Sequence, residues 1–125
     1  MAALGRFLRT VEGHRLAFWC PGCDNAHHVR IAPAPEPWGF NGNAEAPTFT
    51  PSVLVTHDLW TPPVTPENMS QWMAQPWPQK KVRHVCHSFV TDGRIQFLGD
   101  CTHALVGKTV PIPDWPYAEG EYGGV

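Results

Sequence analysis

No stretch of this 125-residue chain approaches the roughly 18 consecutive apolar residues of a membrane-spanning helix, so no membrane association is expected. There is no basic block either. Nine Lys and Arg stand against eleven Asp and Glu, which leaves a nucleic-acid surface without an electrostatic footprint and excludes that class of partner. The first ten residues lack the basic start and apolar run of a secretory signal, which points to the cytosol. No internal repeat is visible. Serine is scarce, occurring only at Ser52, Ser70 and Ser88, so candidates for a serine nucleophile are few. Sequence suited to long helices is also in short supply. Fourteen prolines and eleven glycines are spread along the chain, and a proline inside a helix costs about 3 kcal/mol.

What the chain does have is four cysteines. In the cytosol disulfides are rare, so the cysteines favour a metal site. Cys20 and Cys23 flank Pro21-Gly22, a turn that lets two thiols grip one ion from one side. Cys86 and Cys101 lie far downstream, among His84, His87, Asp100 and His103. A chain of this length forms one domain, and the expected fold is α+β, mainly antiparallel sheet, with long proline-rich loops and one short helix, stapled by a zinc knuckle.

Taken in order, residues 6–11 and 15–19 read as a hairpin around Glu12-Gly13-His14, leading into the cysteine turn. Residues 27–31 read as the return strand. Residues 32–47 form a long loop with Pro33, Pro35, Pro37 and Pro47. Residues 48–56 read as a strand that Pro51 places at an edge or bulge. The expected helix covers residues 66–75. Thr65 serves as its N-cap, Pro66 is at its first position, and Met69, Trp72 and Met73 form one apolar face. Residues 82–91 and 94–98 form a second hairpin around Asp92-Gly93. Asp100 could cap a short helix reaching Leu105. The tail, with Pro111, Pro113 and Pro116, should lie over the surface and become loosely ordered from about residue 116.

Cys20, Cys23, Cys86 and Cys101 complete a four-ligand zinc shell by count, with His27 and His103 as alternative ligands. Two other readings compete. Cys-Pro-Gly-Cys is also the form of a thioredoxin-type redox pair, but no helix or βαβ pattern follows it here. Cys86 or Cys101 could equally be a buried core thiol.

In an extended strand alternate side chains share a face. A metal held through Cys86 therefore leaves His87 on the opposite face, where a neutral histidine can serve as base for a serine hydroxyl. Ser88 is adjacent to His87 and points away from it, and Ser70 lies in the expected helix. Ser52, behind Pro51, is the remaining candidate. On spacing alone His87 is equally a satisfied, partly buried histidine, and Ser52 a bulge residue.

Cys20-Pro21-Gly22-Cys23, Trp38-Gly39-Phe40-Asn41-Gly42-Asn43, Pro47-Thr48-Phe49-Thr50-Pro51-Ser52, the run from Cys86 to Ile95 and the run from Phe97 to His103 together resemble a family of unknown function common in tailed phages and prophages. Members often carry the label ammonia monooxygenase. That label conflicts with the residues: the enzyme is an integral membrane copper protein, whereas this chain offers no membrane span and a cysteine set that suits zinc. The family is distantly similar to serine peptidases of bacterial operons that conjugate ubiquitin-like proteins. The shared features are Pro51-Ser52 and His87 before the aromatic Phe89. The resemblance implies a phage-encoded hydrolase in the bacterial cytoplasm, with Ser52 as nucleophile, His87 as general base and structural zinc. It also implies a protein or peptide substrate, such as a ubiquitin-like protein cleaved at its C-terminus. Asp100 is the expected third member, with His103 or a backbone carbonyl as alternatives. The competing function is a non-catalytic phage zinc-binding module that binds a host or virion protein. A third is a zinc hydrolase with an open site built from His27, His87 or His103 and two cysteines.

Overall fold

The computed structural model describes residues 2–61, 66–67 and 80–117. Among these described residues nine strands form two antiparallel sheets. The first contains β1 (Ala2–Leu4), β2 (Leu8–Val11), β3 (Arg15–Cys20) and β4 (Asn25–Arg30) in that order. The second contains β5 (Gly39–Phe40), β6 (Phe49–Thr61), β7 (Lys80–Thr91), β8 (Arg94–Phe97) and β9 (Thr109–Pro111), also in chain order. The β7–β8 hairpin turns on Asp92 and Gly93, both at positive φ (49° and 77°), the left-handed pair that a two-residue turn requires.

The expected mixture of helix and sheet is corrected on one count: no helix occurs among the described residues. The expected helix over 66–75 falls mostly outside them, and its described members, Pro66 and Glu67, form a turn. The short helix expected between Asp100 and Leu105 is not formed; residues 103–107 are bends and turns. The reason is that the amide of Thr102 donates to Val85 O (3.0 Å), so this segment spends its backbone on β7. The tail does more than lie over the surface. β9 pairs with β8, and Ile112 and Trp115 are buried. The described residues end at Tyr117.

Alternation along the strands puts Leu8, Leu16, Phe18 and Val29 of the first sheet in one core with Val53, Cys86, Val90, Ile95 and Phe97 of the second. Phe18 stacks on Phe49 across the two sheets with centroids 6.0 Å apart. Each such ring contributes about 1.5–3 kcal/mol by leaving water. The buried Cys20 and Cys86 lie within this core, and β7 carries Cys86 inward and His87 outward.

Candidate active site

The pairing of β6 with β7 is interrupted at one place. Phe49 pairs with Val90 and Val53 with Ser88, so Thr50, Pro51 and Ser52 together face the single residue Phe89. Such a bulge re-aims the side chains within it. Proline is tolerated here because a bulge residue has no ladder bond to lose. Beyond it the register resumes, and Leu54 lies opposite His87. Ser52 thus arrives diagonally beside His87 on the outer face.

The Ser52 hydroxyl lies 2.9 Å from His87 Nε2, and His87 Nδ1 lies 3.0 Å from Asp100 Oδ2. Asp100, being a carboxylate, accepts from Nδ1–H. That assignment fixes the neutral ring as the tautomer with a free lone pair on Nε2, which accepts from the Ser52 hydroxyl. The imidazole is mostly covered (25% exposed) and the carboxylate half open (54%). The arrangement can take a proton from Ser52 and hold the resulting imidazolium beside a negative charge. Both ring nitrogens of His87 are engaged in this chain, which leaves none for a metal.

Four hydrogen bonds hold the arrangement from behind. Where β8 ends, residues 98–102 continue alongside β7: the Leu98 amide donates to His87 O (2.9 Å), and Val85 N–H donates to the Thr102 hydroxyl (3.0 Å). Cys101 stands between them. Its sulfur accepts from His87 N–H (3.3 Å) and its thiol donates to His87 O (3.2 Å). One side chain thereby fixes the backbone of His87 and the segment carrying Asp100. On the other side, the Trp38 indole N–H donates to Ser52 O (3.1 Å). Gly39 pairs with Thr50 so closely that a Cβ there would collide with the Thr50 hydroxyl.

The inner face of β7 carries a second cluster. One ligand atom each from Cys20, Cys23, His27 and Cys86 lies within 4.8 Å of the others, so these four residues could hold a metal ion. Cys20 and Cys86 Sγ are 3.8 Å apart. His27 is buried, and its Nε2 has no hydrogen-bond partner among the described residues. The hydrogen bond from Cys86 pulls the Cys20 thiol down to about 4, against the effect of burial. Burial pushes Cys23 up to about 12. Cys86 is pushed strongly up, chiefly by its hydrogen bond to Cys20. Packed this tightly, three sulfurs can hold one negative charge unless a cation joins them.

Of the four cysteines expected to bind metal together, three are brought together, and the alternative ligand His27 takes the place expected for Cys101. Cys101 forms a different group with Cys86 and His103, whose ligand atoms also lie within 4.8 Å of one another. His103 Nε2 is 3.3 Å from Cys86 Sγ, and its ring covers Gly22 so closely that a Cβ there would collide with it. His84 is the residue to which sequence reading gave no role. His84 Nε2 lies 3.2 Å from Cys23 Sγ, and burial is the largest cause lowering its pKa. The signal for His84 was present in its parity, since it shares the face of Cys86. Trp38, in the long loop expected to wall the substrate groove, reaches Ser52 O in the bulge.

A surface pocket of about 430 Å³ lies farther along the outer face of the second sheet, lined by Phe89, Thr91, Asp92, Arg94, Gln96 and Thr109. Phe89 and Thr91 share the face of His87. Among the described residues no helix is long and apolar enough to cross a membrane.

No curated protein and no solved structure matches the chain. A family model does match, over residues 4–98, a stretch that includes Ser52 and His87 and stops two residues before Asp100. With that match covering most of its length, the chain belongs to the family described as bacterial ubiquitination-like system serine protease, BubE.

Proposed function

We propose that this protein is a serine peptidase-like hydrolase, a single zinc-stabilised domain spanning residues 1–125. It cleaves a peptide or isopeptide bond at the C-terminus of a ubiquitin-like protein. The observation that carries this reading is the chain of contacts from Ser52 Oγ through both nitrogens of His87 to Asp100. The family description supports the peptidase class and the ubiquitin-like setting.

In the proposed reaction, Ser52 Oγ attacks the carbonyl carbon while its proton passes to His87 Nε2. The oxyanion that forms is held by backbone N–H groups beside Ser52. Collapse of the intermediate breaks the C–N bond. The departing amine takes the proton from His87, and the acyl group stays as an ester on Ser52. A water then gives its proton to His87 and attacks the ester, and Ser52 recovers its hydrogen as the acid leaves. Asp100 keeps the ring in the required tautomer and stabilises the imidazolium. Among the described residues Ser88 is buried in the core, and Ser52 is the serine beside a base.

The metal read here is zinc, held by Cys20, Cys23, His27 and Cys86. Tetrahedral zinc with Zn–S bonds of about 2.3 Å separates two sulfurs by about 3.8 Å, the distance between Cys20 and Cys86 Sγ. A buried imidazole nitrogen with nothing to bond also fits a ligand. With four protein ligands the ion is structural: it ties the turn between β3 and β4 to β7.

The test is covalent labelling by an alkyl fluorophosphonate. Wild type is expected to be labelled on Ser52 and the Ser52→Ala variant not at all. Equal labelling of the two, or none of either, favours the alternative of a zinc-binding module without catalysis.

A further inference from the structure

Among the described residues β6 is open on one side. β5 covers only Phe49 and Thr50, and among the described residues no strand lies beside β6 from Ser52 to Thr61. Which backbone groups face that gap follows from β7. His87 O accepts from the Leu98 amide, and His87 N–H donates to Cys101 Sγ, so both point away from β6. Val85 behaves in the same way, its C=O and N–H engaging Thr102. In an antiparallel ladder the partner of such a residue also turns its N–H and C=O outward. The partners are Leu54 for His87 and Thr56 for Val85. The N–H and C=O of Leu54 and Thr56 therefore face the open side, beginning two residues from Ser52. Native proteins usually blunt an exposed edge with lysine, proline or a bulge. Here the bulge and Pro51 precede Leu54, and residues 54–57 carry neither lysine nor proline. Trp38, bonded to Ser52 O, closes the near end of the gap.

We propose that the open edge of β6 is the substrate-binding strand. An extended peptide segment flanking the scissile bond adds beside Leu54 and Thr56 by backbone hydrogen bonds, which lays its carbonyl against Ser52. This rests on the reading of Ser52 as nucleophile and specifies how the substrate must be presented: as an unfolded, extended stretch and not as a folded surface. At about 3.3 Å per residue the edge from Ser52 to Thr56 is about 13 Å long, room for three or four substrate residues. The exposed Leu54 side chain (57%) lies on the same face as His87 and offers apolar contact to one of them.

Two probes separate this proposal from the assignment of the nucleophile. An alkyl fluorophosphonate has no peptide backbone, whereas an acetyl-tri-alanyl diphenyl phosphonate has one, and its amides can be N-methylated. On wild-type protein, N-methylation is expected to slow labelling of Ser52 by the peptidyl probe about tenfold, the effect of two lost hydrogen bonds. Leu54→Pro removes the outward donor without removing a bond to β7, because Leu54 and His87 are not a hydrogen-bonded pair. It should slow the peptidyl probe about three- to fivefold, the effect of one lost hydrogen bond, and leave the fluorophosphonate rate within about twofold. The proposal is overturned if N-methylation has no effect on wild type, or if a folded Leu54→Pro protein reacts with the peptidyl probe as fast as wild type. It is also overturned if wild type is a dimer that Leu54→Pro separates, which would assign the edge to a second copy. Absence of labelling by both probes would reject the nucleophile as well.

Discussion

Asp100 lies outside the stretch matched by the family, so its part in the site has to be established on this chain. Replacing it by Asn removes the charge and keeps an oxygen that can still accept from His87 Nδ1–H. The substitution therefore isolates the attraction between the carboxylate and the imidazolium that forms when Ser52 gives up its proton. At the observed 3.0 Å that attraction is about 1.4 kcal/mol in bulk water and about 5.5 kcal/mol at an effective dielectric of 20. The carboxylate is 54% exposed, so solvent screens it and the lower part of the range applies. A loss of about 2–3 kcal/mol corresponds to labelling slowed by about 30- to 150-fold. That is well short of the ~10⁴ lost when the buried aspartate of a serine protease triad is replaced by asparagine. The assay is the second-order rate constant for alkyl fluorophosphonate, with melting temperature as a check on folding. A folded Asp100→Asn protein that reacts within threefold of wild type would refute Asp100 as the partner of His87.

Metal analysis should find one zinc per chain, lost in Cys20→Ala and retained in Cys101→Ala, which instead should label more slowly; retention in the first or loss in the second would overturn the ligand set. Zinc should also leave as pH falls. The thiols of Cys23, pushed up by burial, and of Cys86, pushed up by its hydrogen bond to Cys20, compete for protons with the metal. Gly22→Ala should destabilise the protein by about 1–3 kcal/mol, because the added methyl meets the His103 ring, which is held at Cys86 and edge-on against Phe97. Denaturant unfolding measures it, and an unchanged midpoint would show that the ring simply moves aside.

Local signals in the sequence were enough for the strands nearest the site. Asp92-Gly93 marked the β7–β8 turn, Pro51 marked the bulge, and alternation along β7 placed His87 on the face away from Cys86. What stayed hidden depends on pairing between distant segments. β9 is three residues whose role is set by β8, and the stretch after Gly99 has the composition of a helix start. It follows β7 because the Cys101 thiol and the Thr102 hydroxyl find backbone groups of β7 there. The grouping of His27 with Cys20, Cys23 and Cys86 was within reach. The Pro21–Asp24 turn pairs Cys20 with Asn25, and the residue two beyond Asn25 must then lie on the same face as Cys20. Counting ligands pointed to cysteine; register pointed to histidine.

The cysteines therefore divide into two kinds that composition cannot separate. Cys20, Cys23 and Cys86 converge on one point inside the core, whereas Cys101 faces the backbone of the base. A thiol there can accept from an N–H and donate to a C=O of the same residue, as a neighbouring strand would, at the place where β8 has ended. A metal-bound thiolate has no proton to donate, so as a ligand Cys101 would lose its bond to His87 O and keep the one it accepts from His87 N–H. Cys86 and His87 are adjacent on β7, with the cysteine and histidine cluster beneath the strand and the Ser52 contact above it. The cluster fixes the height of the strand, and Cys101 fixes its edge. His87 Nε2 meets Ser52 because both constraints act on the same short piece of backbone.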